Sequence, residues 1–321
     1  MNNYRSEEDL LETTAKLERE LAEKNRELLI EAALEKVRAR TMAMQKSEEL
    51  KEAANVLFQQ VQLLGIPVWT CGYNIWEKGE KVCRGWMSTL GTVQPSFRIP
   101  LTEHRTFIHM DESRLNAEPF YVEEVNGDQL ADHYRYMFSL PDFREIAMKQ
   151  MQAGFELPLS QVNHVFNFKH GNLIFLSAEP IPGAWNIFSR FTAVFEQTYT
   201  RFLDLQRAEA QARESQIQLA LERVRARTMA MQRSNELPET AAILFEQFKS
   251  LGQELMQMTI GIVNEANGVI EFSVTDWSGS GAGVNRAFNL SIEEPTLIKK
   301  MYTGWKENKK SIIVDLRDKE L

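Results

Sequence analysis

A chain of 321 residues with 43% hydrophobic, 10% aromatic and 26% charged residues has material for two folded domains and is too apolar for wholesale disorder. Its formal net charge of −8 speaks against a nucleic-acid partner, which would call for a concentrated positive field. No run reaches the roughly 18 apolar residues of a membrane span, the opening MNNYRSEEDLLETT is neither signal nor transit peptide, and two cysteines make no disulfide framework, so a cytoplasmic location is expected.

Residues 1–30 carry a thin apolar seam. Leu10, Leu17 and Lys24 take one heptad position and Thr14, Leu21 and Leu28 the other, flanked by Glu, Lys and Arg, which predicts a coiled-coil-like helix. From Ile30 the seam restarts as Ile30, Leu34, Val37, Thr41 and Met44, one residue out of the first frame, so any supercoil is disturbed there. These positions serve either as dimer seam and relay or as core. Arg38 and Arg40 are candidates to dock the helix on a partner helix or on its own domain, against the plainer reading of a solvated basic face. The helix then widens its apolar face through Ala53, Ala54, Leu57, Phe58, Val61 and Leu64, as a helix packed on a folded body does, and runs on to Gly65 and Pro67.

Strand-like runs follow: VWTCGYNIW (68–76), KVCRGWMST (81–89) and SFRIPL (96–101), then EPFYVEEV, GFELPLS, VNHVFNFKH and NLIFLSAE. Between them, LADHYRYMFSLPDFREIAMKQMQ (130–152) reads as helix broken near Pro141. Cys71 and Cys83 lie in successive strands and could approach across a hairpin, yet no further ligand completes a metal site, so apolar core is the reading. A last helix starts near Trp185, carries Phe188, Phe191, Phe195, Phe202 and Leu205, and runs to about Glu236, where Pro238 is expected to kink or restart it.

That helix leads into a repeat. LEKVRARTMAMQKSEEL (34–50) recurs as LERVRARTMAMQRSNEL (221–237), an offset of 221 − 34 = 187, with three differences. The match continues through EAANVLFQQVQLLG against ETAAILFEQFKSLG and ends with KSIIVDLRDKEL opposite PFYVEEVNGDQL. Four segments are expected: an N-terminal helix (1–30), a first domain (31–205), a helical linker (206–220) and an incomplete second copy (221–321). The second copy's relay or dimer positions are Leu221, Val224, Arg225, Arg227, Thr228 and Met231.

The stretch LEKVRARTMAMQKSEEL resembles GAF-like modules of bacterial sensor histidine kinases, and the order of elements resembles the wider GAF/PAS superfamily. The resemblance implies an α+β fold, a GAF/PAS-like antiparallel sheet flanked by helices, joined by long coiled-coil-like helices in tandem. It also implies an input or relay role in a signalling protein of the two-component kind, a homodimer formed through parallel helices, and a downstream effector domain. A small-molecule pocket would lie between the sheet and the middle segment, near Trp69, Tyr73, Trp86, His133, Tyr134, Arg135 and Tyr136. The Asn-Lys-Phe-Asp-Glu set of cyclic-nucleotide binders is missing, and neither Cys71 nor Cys83 precedes the His of bilin attachment, so no cofactor is expected.

No catalytic constellation emerges. The five histidines (His104, His109, His133, His164 and His170) lack a phospho-acceptor context, and GSGAG (279–283) reads as a flexible hairpin loop rather than a phosphate cradle. A non-catalytic sensory or relay module is therefore expected. The alternatives are a structural coiled-coil adaptor for protein partners and an enzyme built on the pocket of the first copy.

Overall fold

Residues Glu7–Met42 form one 36-residue helix, α1. Its leading leucines Leu10, Leu17, Leu21 and Leu28 are exposed, whereas Ile30, Ala33, Leu34, Val37 and Thr41 are buried. Those buried positions recur at three and four residues, the spacing that keeps one helix face on a core. The continuous helix expected through residue 64 is instead broken. A short 3₁₀ turn, Ser47–Glu49, leads into α2, Leu50–Leu63. The Glu49 carboxylate stabilises the break by accepting the backbone N–H groups of Gln45 (2.9 Å) and Lys46 (3.1 Å), donors that a chain leaving one helix for another would otherwise leave unpaired.

This computed structural model describes residues 7–314 apart from 153, 155, 234, 235, 254, 256, 276–283 and 296, so the GSGAG loop and the last seven residues of the repeat lie outside the described residues. The chain divides into two units, Met1–Gln206 and Arg207–Leu321.

In unit 1, α2 is followed by strands β1 (Val68–Trp76), β2 (Val82–Thr89), β3 (Thr92–Val93) and β4 (Phe97–Pro100), and by helix α3 (Arg105–Leu115). Strand β5 (Phe120–Asn126), helices α4 (Gly127–Ser139) and α5 (Pro141–Gln152), strands β6 (Ser160–Phe168) and β7 (Gly171–Ser177), and helix α6 (Trp185–Ala230) complete the order. The sheet is antiparallel with order β3-β2-β1-β7-β6-β5, and β4 pairs with β2. Side chains alternate across it. Cys71, Tyr73, Ile75, Leu173 and Phe175 join a core with α1, α2 and α6, while Met87, Phe97, Phe107, Met110, Met137 and Ile174 form a second core with α3, α4 and α5. Cys71 and Cys83 thus occupy different cores, which corrects the idea that they meet across the hairpin; the register pairs Cys71 with Ser88 and Cys83 with Trp76.

One helix was not foreseen, and one expected strand is nearly absent. Helix α3 was not legible because its buried face is Thr106, Phe107, Met110, Asp111 and Ser113, too polar to give an apolar period. It starts where the His104 ring accepts the Thr106 N–H (3.3 Å). Of the described residues of the GFELPLS stretch only the last, Ser160, enters a strand, as the start of β6; Pro158 has no N–H to offer a ladder, and Leu159 is exposed.

Helix α6 is tied to the sheet by aromatic stacking. Phe188 stacks on Phe175 with centroids 3.9 Å apart, and Phe195 on Tyr73 at 3.8 Å. At its start the Trp185 indole N–H donates to His164 Nδ1 (3.2 Å), and on its flank Arg190 pairs with Glu27 (2.7 Å) and Glu31 (2.6 Å) of α1. The incoming and outgoing helices therefore lie side by side.

Unit 2 takes in the end of α6, then α7 (Leu237–Ser250), an antiparallel sheet of β8 (Thr259–Asn264), β9 (Val269–Thr275) and β10 (Val284–Ser291), and α8 (Leu297–Lys306). Its core gathers Ile270, Phe272, Val274 and Ile298. Helix α6 stops at Ala230, before the expected Glu236, and Pro238 does not cause the break. Pro238 sits in the first turn of α7, where a missing N–H costs little, and unit 1 breaks at the matching place with Lys51 there.

Candidate functional site

Between the sheet and helices α3, α4 and α5 of unit 1 lies a cavity of about 100 Å³. Thr70 and Asn74 of β1, Gln161 and Asn163 of β6 and Ile174 and Leu176 of β7 face it from the sheet. Phe107 and Met110 of α3, His133 and Met137 of α4, and Ala147 and Gln150 of α5 close it from the other side. The wall is mostly apolar, and no Asp, Glu, Lys or Arg lines it among the described residues.

Its polar groups fall into two kinds. Some satisfy one another: Tyr134 donates to Gln161 (2.8 Å), whose amide donates to Asn163 (2.8 Å), and Asn163 donates outward to Glu123 (3.3 Å). Thr70 and Thr89 share a hydrogen bond (2.7 Å). Others are buried without a protein partner: Asn74 Oδ1, His133 Nδ1 and Gln150 Nε2. Buried polar atoms are nearly always hydrogen-bonded, so three unpartnered ones on residues that line one cavity single it out. Burial, helped by the neighbouring His104 ring, pushes His133 down to about 4, so it is a neutral imidazole at ordinary pH. A Cβ at Gly85 would stand 3.1 Å from Asn74 Oδ1 and 3.2 Å from the Phe97 ring, so glycine there preserves room beside that acceptor.

Of the predicted pocket residues, Trp69, His133 and Tyr134 line the cavity. Tyr73 and Trp86 do not. They pair across β1 and β2 and point into the opposite core, where the Tyr73 hydroxyl donates to the Ala53 carbonyl of α2 (3.1 Å). Arg135 also falls outside, exposed and paired with Asp132, and Tyr136 turns its hydroxyl to Glu103 (3.1 Å). An amphipathic helix can send only one face inward, so four consecutive residues cannot all reach one site. Asn74, Gln150, Gln161 and Asn163 were missed, although their signal was present. Thr70 and Asn74 share one parity inside an apolar strand, as do Gln161 and Asn163.

His164, the other strongly perturbed histidine, lies outside this cavity. It accepts from Trp185 and pairs with the Ser177 hydroxyl (2.9 Å), and burial pushes it down to about 4. It is a satisfied core histidine that anchors the start of α6.

The repeated motif has a definite local geometry. Arg40 spans the α1–α2 joint to Glu49 (3.2 Å) and Glu52, and Arg227 spans the α6–α7 joint to Glu236 (3.5 Å) and Glu239. All three positions are shifted by the same 187 residues. Thr41 and Thr228 likewise donate to the carbonyls of Val37 (2.8 Å) and Val224 (2.9 Å). The arginine therefore docks each helix onto its own unit. Leu34, Val37, Thr41 and Met44 are buried within unit 1, which corrects their assignment as a dimer seam. Arg38 makes an i,i+3 pair with Glu35 (3.3 Å), and Arg225 one with Glu222. In unit 2, Leu221 is 50% exposed and Thr228 is exposed, while Val224 and Met231 are half-buried.

Among the described residues, no helix is long and apolar enough to cross a membrane. No known family model matches the chain, and no curated protein matches it.

Proposed function

We propose that the chain is a non-catalytic sensory and relay module of a signalling protein, in which unit 1 takes a small molecule and α6 carries the response towards unit 2. The observation that carries this reading is the position of one sheet between cavity and helix. On β1, Asn74 faces the cavity while its neighbour Tyr73 stacks on Phe195 of α6; on β7, Ile174 faces the cavity while Phe175 stacks on Phe188. A change of strand position at the cavity must therefore shift the rings that hold α6, because close-packed interiors transmit displacement rather than absorb it. Helix α6 continues unbroken to Ala230, and the boundary between the units falls inside it.

The reading includes the GAF-like assignment, a place in the input region of a cytoplasmic histidine-kinase-type protein, and a duplicated unit. The antiparallel sheet with helices on both faces supports the first, and the matching arginine joints support the last. A cavity wall with no Asp, Glu, Lys or Arg among the described residues, and with His133 held neutral, favours binding over general acid–base chemistry.

Hydrogen exchange of the full chain tests the relay. Ala147→Met fills the cavity from α5, and its effect on amide exchange should extend along α6 past Gln206 to the joint at 227–237. A difference confined to the α3–α5 side of unit 1 would sink the relay.

A further inference from the structure

We propose that the unit 1 cavity binds an uncharged aromatic molecule of about one ring that carries both a hydrogen-bond donor and an acceptor, as a carboxamide, lactam or ring N–H compound does. The inference deepens the sensory reading and rests on it. Three features of the wall combine to select that class.

Charge comes first. An ion placed here would lose its hydration and find no opposite charge, since the lining holds no Asp, Glu, Lys or Arg among the described residues. The Glu123 carboxylate is not part of the lining and already accepts the Asn163 amide. Phosphates, carboxylates and ammonium compounds are therefore disfavoured.

Shape and polarisability come next. Met87, Met110, Met137 and Met151 meet Phe97 and Phe107 around the space. Thioethers pack well against ring edges and adapt to a guest's outline, which suits a flat aromatic body. A volume of about 100 Å³ sets the size near one ring.

The unpartnered atoms then set the polar pattern. Asn74 Oδ1 needs a donor and Gln150 Nε2 needs an acceptor. His133, 6% exposed, has an unpartnered Nδ1 that serves as either, because a neutral imidazole has two tautomers. A guest with only an acceptor or only a donor would leave at least one of these atoms unpaired. A guest with both satisfies the set and gains the discrimination that buried polar groups confer.

Three probes of one shape and different charge test this: benzamide, benzoate and benzamidinium, titrated by calorimetry into the full chain at neutral pH. Benzamide should bind saturably with a Kd below about 1 mM, at least about tenfold tighter than either ion. Ala147→Met should abolish that binding, and His133→Phe, which keeps an aromatic ring and loses both nitrogens, should weaken it about tenfold. Circular dichroism on each variant verifies the fold. Either ion binding as tightly as benzamide, no saturable benzamide binding, or binding that survives in both folded variants would overturn the proposal. These results concern the ligand class alone. The relay is judged separately, by exchange along α6 in the cavity-filled variant.

Discussion

Replacing Phe195 with alanine tests whether ring stacking holds α6 to the sheet. The Phe195 side chain is fully buried, stacked on Tyr73 and on Tyr199 (5.4 Å) and edge-on to Phe168 (5.4 Å). Deleting such a ring removes its transfer free energy and leaves a cavity that neighbouring rigid rings cannot collapse, so a loss of about 4 kcal/mol is expected. For a unit of this size each kcal/mol lowers the melting temperature by roughly 2–4 °C, which gives a fall of roughly 8–16 °C. Tryptophan fluorescence during urea unfolding is a suitable assay, because Trp69, Trp76, Trp86 and Trp185 all belong to unit 1. Tyr73→Phe serves as the comparison. It keeps the stack and removes only the hydroxyl bond to Ala53, for a cost of about 1 kcal/mol. A Phe195→Ala loss below about 1 kcal/mol, no larger than an ordinary surface change, would refute the packing argument and with it the coupling of sheet to helix.

Three further outcomes follow from the same geometry. His133 is held near 4 in the fold against an ordinary 6.5, so below pH 6.5 the unfolded chain takes up a proton that the folded chain refuses. Its contribution is therefore complete above pH 6.5 and is lost as pH falls towards 4, by roughly 3 kcal/mol over that window; His133→Phe should lessen the slope of the urea-midpoint profile there, leaving the share of His164, which is pushed down to about 4 as well, and an unchanged slope would contradict the assignment. Arg40→Ala and Arg227→Ala should each cost about 1 kcal/mol or less, since both joints are partly exposed. Each should also speed amide exchange in its own joint, and equal exchange in variant and parent would show that the arginine does not hold it. Finally, the exposed Leu10, Leu17, Leu21 and Leu28 make the leading part of α1 the candidate homodimer seam. The parent should sediment as a dimer and Leu17→Glu with Leu21→Glu as a monomer; a monomeric parent or a dimeric variant rules the seam out.

Much of the fold was readable because local patterns and tertiary environment agree. VWTCGYNIW is β1 from end to end, and the helix broken at Pro141 appears as α4 and α5. Proline and a two-residue period impose themselves wherever the chain goes. Helix α3 escaped notice because its buried face mixes Thr, Asp and Ser with Phe and Met. The α1–α2 break did too, because its stabilising bonds join Glu49 to Arg40 and to backbone N–H groups, which leave no trace in apolar periodicity. The candidate site was half legible. His133 and Tyr134 stood out as aromatic and polar neighbours, but their distance from Tyr73 and Trp86 depends on which face of β1 and β2 meets which helices.

The sequence by itself determined the duplicated motif of 34–50 and 221–237 and most strands of unit 1, because identity, alternation and backbone restriction are local properties. Only the tertiary structure decided which apolar seam is core and which is surface. Leu17 and Leu34 look alike on a helical wheel, yet Leu34 is buried because α2 and the strands pack over that end of α1. Burial is a relation between distant segments, and no single segment encodes it. The same holds for the cavity: three unpaired polar atoms on β1, α4 and α5 become one site only when the chain brings them to a common space.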